Sequence, residues 1–109
     1  MKKILLFTFL LLCTLPVSSK KAGEFTVLQW NIWQEGTSVP GGYEAIINEI
    51  VRLKPDFVTF SEVRNYKNSN FSARVLSSLR EKGMTYYSFY SYDSGLLSKH
   101  PITDSLTVF

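Results

Sequence analysis

The stretch FVTFSEVRN, residues 57–65, decides the fold. It opens as a run of apolar and β-branched residues and reads as a strand buried on both faces. It closes on a carboxylate, Glu62, with Arg64 two positions later. A lone buried carboxylate is costly, so Glu62 requires a partner. Residue types alone leave two answers open. One is an ordinary surface ion pair with Arg64 or a lysine, because charges at strand ends usually face water. The other is a cation held where the carboxyl end of a sheet strand meets a ligand crevice.

Upstream, FTVLQWNIW (25–33) reads as another strand, interrupted by the polar Gln29 and Asn31. QEGTSVPGG is a loop by its Gly and Pro content. Residues 43–54 read as a helix, with Tyr43, Ile46, Ile47, Ile50 and Val51 on one face. Pro55 stops it, since a residue before proline is pushed out of helical geometry. Downstream, the polar RNYKNSN leads into a second helix over 71–82, with Asn70 or Ser72 as its cap and Gly83 just past its end. Three strand-like segments follow, over 85–92, 95–98 and 102–109, with a tight hairpin turn at Asp93-Ser94-Gly95.

The resulting order, β-α-β-α-β-β-β, predicts an α/β (α+β) fold: a mixed sheet with helices on one face. The first strands need crossover helices, whereas the last ones can pair by hairpins. Two helices cover one face of such a sheet only, and the sequence runs out inside the strand pattern LTVF. Residues 20–109 are therefore expected to be the N-terminal portion of a larger domain, incomplete alone.

The chain has 109 residues, 45% of them hydrophobic and 15% aromatic, which suits one small domain with a substantial core. Its first nineteen residues form a separate object. Lys2 and Lys3 precede an apolar run broken by Pro16, and Val17-Ser18-Ser19 offers small residues for cleavage. Residues 1–19 thus read as a secretory signal peptide, its apolar run being short for a bilayer span, with an N-terminal membrane anchor as a lesser alternative. Lipoprotein anchoring through Cys13 is another lesser alternative, because Leu12 before it is large. Cleavage after Ser19 leaves no cysteine, so an exported protein without disulfides is expected, periplasmic or secreted. The formal charge is +3, and without Lys2 and Lys3 the balance is ten basic residues against nine acidic. That is no electrostatic footprint for nucleic acid.

If the first two strands are neighbours, Asn31 and Glu62 emerge side by side at one sheet edge. A carboxylate and a neutral amide, both oxygen donors, suit Mg²⁺, which needs only one or two protein carboxylates and keeps several waters.

Three segments, TVLQWNIW, PDFVTFSEVRN and GLLSKHPI, together resemble the endonuclease/exonuclease/phosphatase superfamily, the deoxyribonuclease-like fold. Their order and spacing match over roughly residues 25–102. The resemblance implies the N-terminal half of a four-layer α/β/β/α sandwich and a metal-dependent phosphoric ester hydrolase. It implies Glu62 as the Mg²⁺ ligand, with Mn²⁺ or Ca²⁺ as alternative ions. It implies Asn31 as the asparagine that orients the metal site and the scissile phosphate, and Arg64 as an arginine facing substrate phosphate. Ser61 stands where many members carry glutamine, so that amide's role is in doubt here. The family's catalytic histidines and its later aspartates have no counterpart within these residues. His100, before Pro101-Ile102, reads as structural. Asp93 and Ser94 are explained by a hairpin turn as well as by a substrate rim, and Trp30, Trp33 and the tyrosines by core packing.

The expectation is an exported Mg²⁺-dependent phosphoesterase, nuclease or lipid- or inositol-phosphate phosphatase, of which this chain is a truncated and inactive part. Its partner would be a phosphate-ester substrate, nucleic acid or a phospholipid or sugar phosphate. No stable protein partner is implied, and the complete protein would be a monomer. A non-catalytic exported binding module on the same scaffold is the alternative.

Overall fold

A computed structural model describes residues 22–108. The predicted signal peptide, 1–19 with Cys13, lies outside the described residues, as does Phe109. The chain forms β1 (Val27–Asn31), α1 (Gly42–Leu53), β2 (Phe57–Ser61), α2 (Phe71–Glu81), β3 (Tyr87–Ser91) and β4 (Ser94–Ser98). A single short turn of 3-10 type, Tyr66–Asn68, lies between β2 and α2.

The sheet is mixed, in the order β1-β2-β4-β3. β1 and β2 are parallel, which requires the crossover that α1 supplies. β2 with β4, and β4 with β3, are antiparallel. Register places Asn31 beside Ser61, and Ser61 beside Ser94. The carboxyl ends of β1 and β2 and the β3–β4 turn therefore share one rim.

Strand alternation sorts the side chains. Val58, Phe60 and Leu97 are buried and pack with Ile46, Ile47 and Ile50 of α1 and Phe71, Val75 and Leu79 of α2. Leu28 and Trp30 of β1 pack against this core. Both helices thus lie on one face of the sheet, as the sequence predicted. The other face carries Val27, Gln29 and Asn31, all exposed, with Phe57, Thr59, Leu96 and Phe89 half-buried. β2 is accordingly buried on one face, not two. Its apolar look comes from Phe57 and the β-branched Thr59 on the second face, both half-buried, ahead of the exposed Ser61.

The helix boundaries follow local chemistry. Lys54 ends α1 in a left-handed conformation, φ +48°, directly before Pro55, and its amide bonds back to Ile50 O at 2.8 Å. Asn70 Oδ1 caps α2 by accepting from Ala73 N at 3.0 Å. Gly83 sits past the end at φ +81°. The hairpin turn differs by one residue from the expectation: Ser91 pairs with Ser94, so Tyr92-Asp93 is the two-residue turn, with Tyr92 at φ +52°. Positive φ at the first turn residue matches the strand twist, and here a tyrosine takes it instead of glycine.

The predicted last strand over 102–109 does not form within the described residues, where 102–108 have no regular structure. A strand exists only when a neighbour completes its backbone hydrogen bonds, and none of the described strands pairs with this segment. β1 is likewise shorter than the predicted 25–33. The chain leaves extended geometry at Trp33, where φ becomes +44°.

Candidate functional site

The site is built where β1 and β2 end. Beyond Asn31, Ile32 is buried in the core and donates its amide to Ser61 O at 3.2 Å, extending the parallel pairing by one bond. Trp33, Gln34, Glu35 and Gly36 then follow with φ of +44°, +59°, +62° and +74°. Gly36 N closes this left-handed turn on Ile32 O at 2.8 Å. On the other strand Glu62 leaves β2 at φ +63°, and Asn65 follows at +50°. Non-glycine residues in this region cost of order 1–2 kcal/mol each. Such strain persists where surrounding bonds over-determine it, and it concentrates at functional sites.

The two strand ends present Asn31 and Glu62 together. Asn31 Nδ2 donates to Glu62 Oε1 at 2.9 Å, while Asn31 Oδ1 accepts from Trp33 N at 2.9 Å. The Trp33 amide thus sets which end of the Asn31 amide faces the acid: the nitrogen meets Glu62, and Oδ1, expected as a cation's second oxygen donor, accepts from Trp33 instead. Asn31 is exposed and Glu62 half-exposed. Among the described residues Glu62 makes no ion pair with Arg64; Arg64 lies 3.8 Å from Asp93 Oδ2 and bonds weakly to Val63 O at 3.3 Å. Most of its guanidinium donors remain available at the same rim. Val63, buried, ties this segment to the hairpin turn by donating to Asp93 O at 2.8 Å.

The sequence reading missed the most heavily bonded acid of the rim. Glu35, 2% exposed, accepts from Arg64 N at 2.7 Å and Asn65 N at 2.5 Å through Oε2, and from Arg74 Nη2 at 2.6 Å through Oε1. Arg74 in turn lies over the rings of Tyr43 and Phe71, 5.6 and 5.4 Å from their centroids. In the sequence Glu35 is one polar residue in a Gly- and Pro-containing loop. Its partners are 29 to 39 positions away, so no local pattern marks it.

His100 follows the far end of β4, beside the start of β2, and packs on Phe25 and Phe57 with centroids 5.7 Å from each. It stands at the opposite end of the sheet from Glu62. The aromatics expected in the core divide: Trp30 packs there, whereas Trp33 is 61% exposed and Tyr92 72% exposed, at the rim.

The sequence matches the model of the Endonuclease/Exonuclease/phosphatase family over residues 28–109. The chain belongs to that family. No curated protein and no solved structure matches it. Members of the family are hydrolases of nuclease or phosphatase type, they bind phosphoester substrates, and they commonly use divalent metals. Among the described residues no three His, Cys, Asp or Glu side chains converge as a metal cluster. Mg²⁺ does not require one: it takes one or two carboxylates and completes its shell with water and substrate phosphate. A half-exposed carboxylate steadied by an amide can supply one such ligand.

Proposed function

We propose that this chain provides the metal- and phosphate-binding rim of an exported, Mg²⁺-dependent phosphoester hydrolase. The observation that supports it best is the 2.9 Å contact between Asn31 and Glu62, side chains brought from two strands to one rim in a chain of this family. In this reading Glu62 holds the cation, with Mn²⁺ or Ca²⁺ as substitutes. Asn31 orients the Glu62 carboxylate through its Nδ2–H, and the Trp33 amide keeps the Asn31 side chain from turning over. Arg64 offers forked donors to substrate phosphate oxygens. The cation, when bound, stabilises charge on a phosphate oxygen. Attack by water needs a general base within hydrogen-bond reach, and His100 at the far end of the sheet is not that base. In this reading the base is a histidine from outside these residues, as the family resemblance implies, so the 109-residue chain by itself is expected to be inactive and residues 20–109 to form the N-terminal portion of the working domain.

The test is Glu62→Gln in the full-length protein, assayed with Mg²⁺ on a phosphodiester and on a phosphomonoester. Hydrolysis by the parent and its loss in the variant, with a weakened Mg²⁺ response, supports the reading. Activity equal to the parent removes Glu62 from the site. The same assay separates nuclease from phosphatase use. Export is checked by N-terminal sequencing of the protein recovered outside the cytoplasm, with Lys20 as the expected first residue.

A further inference from the structure

We infer that Glu35 is a positioning residue of this site, holding the turn that carries Glu62 and Arg64; the inference rests on the proposed cation site at Glu62. Three observations carry it. First, one buried carboxylate oxygen accepts both the Arg64 and the Asn65 amides, the second and third backbone donors after Glu62. Second, the same side chain is anchored from a third element, because Arg74 of α2 pairs with its other oxygen. Third, the segments on both sides of this bridge are strained: Trp33, Gln34 and Glu35 on one, Glu62 and Asn65 on the other, all with positive φ. Strained turns relax unless something fixes them. Asn31–Glu62 and Tyr66–Gln34 also cross between the two segments, but Glu35 is buried and bonds two successive amides of the far one.

The bridge also reaches the start of α2. Asn65 Oδ1 accepts from Phe71 N at 2.9 Å, so the Asn65 turn is held on both its amide and its side chain. The Glu62 turn is thereby referenced to the helix layer, not to β2 alone. A carboxylate at position 35 acts through the Glu62–Asn65 backbone and touches neither cation nor substrate.

The experiment is two-dimensional ¹H–¹⁵N NMR of the full-length protein titrated with Mn²⁺, reading paramagnetic broadening of the amides around Asn31 and Glu62. Glu35→Asp keeps the charge for Arg74 but falls one methylene short of the two amides. Glu35→Gln keeps the reach and an acceptor oxygen. Tyr86→Phe removes a buried hydrogen bond at the far end of the sheet and controls for lost stability. The expected result is that Glu35→Asp raises the Mn²⁺ concentration for half-broadening about tenfold, as supporting partners of metal ligands typically do. Glu35→Gln, which keeps an acceptor for the two amides but loses the Arg74 pairing, shifts it by a smaller factor, and Tyr86→Phe leaves it at the parent value. A parent-like response in folded Glu35→Asp overturns the positioning role. Should Glu35→Asp not fold, a parent-like response in folded Glu35→Gln, which has lost the Arg74 anchor, overturns it equally. No localised broadening in the parent overturns the cation site itself, and this inference with it.

Discussion

The side-chain amide of Asn31 donates to Glu62 Oε1 at 2.9 Å, although the two residues are 31 positions apart. The contact exists because β1 and β2 are parallel neighbours and both end at this rim. Replacing Asn31 by Asp puts a second carboxylate where a donor was, and like charges at that distance disfavour double ionisation. Asn31→Asp is expected to lower stability by roughly 1–2 kcal/mol at pH 7 without a divalent ion. Added Mg²⁺ should raise its melting temperature more than it raises the parent's, since a ligand that binds only the folded state stabilises it. Thermal melts with EDTA and with Mg²⁺ check both parts.

The loop before α1 predicts a contrast between adjacent glycines. A Cβ on Gly42 would lie 2.0 Å from Gly36 O, a backbone atom, because the left-handed turn packs directly on the start of the helix. A Cβ on Gly41 would meet nothing within 4 Å, but its φ is +71°. Gly41→Ala should cost about 1 kcal/mol from conformation alone. Gly42→Ala should cost more, up to about 3 kcal/mol, as an overpacked backbone contact does. Urea unfolding midpoints of the two variants give the order.

Tyr86 predicts the alkaline limit of stability. Its hydroxyl is buried, donates to Pro55 O at 2.6 Å, and burial pushes its pKa up to about 12, with the Asp56 charge adding to the shift. The folded pKa exceeds the unfolded one, so the unfolded chain releases the proton first as pH rises. The stabilisation from the neutral phenol is complete below about pH 10 and is lost as pH rises toward 12. Tyr86→Phe should be less stable by about 1–2 kcal/mol at neutral pH, because it leaves the Pro55 carbonyl unpaired. It should also lose this segment of the alkaline slope. Melting temperatures between pH 8 and 12 test both statements.

At the opposite end of β1 from Asn31, Asp56 and Thr26 lock the parallel pair. Asp56 Oδ2 accepts from Thr26 N at 2.8 Å and Thr26 Oγ1 at 3.0 Å, and Asp56 N donates to Thr26 O at 2.9 Å. Asp56→Ala removes the side-chain half of this lock and should cost about 2–3 kcal/mol, in the range of bonds to a charged acceptor. Amide hydrogen exchange should speed up selectively in Val27–Asn31, which places the loss in β1 rather than in the core.

The layout of the sheet was legible because it rests on local patterns. The helices over 43–54 and 71–82 follow from apolar spacing, Pro55, Asn70 and Gly83, and the structure places them within a residue of those bounds. The neighbouring of Asn31 and Glu62 was legible too, since a β-α-β order brings the carboxyl ends of two parallel strands together. What was not legible depends on contacts distant in sequence. Residues 102–108 carry a strand pattern that remains unpaired among the described strands. Trp33 reads as core by composition, yet a reversal of φ takes it out of the strand and into solvent. Glu35 reads as loop, and only the fold brings three donors to its carboxylate.

Among the described strands β1 is an outermost ribbon, bonded along one side alone. An outer ribbon breathes more readily than its inner neighbours, and each opening carries Asn31 away from Glu62. The rim would then lose its geometry at temperatures where the helices and the inner strands are still intact. Lesions at Thr26 or Asp56, a full strand length from the acid, would reach the bench as failures of function long before they registered as failures to fold.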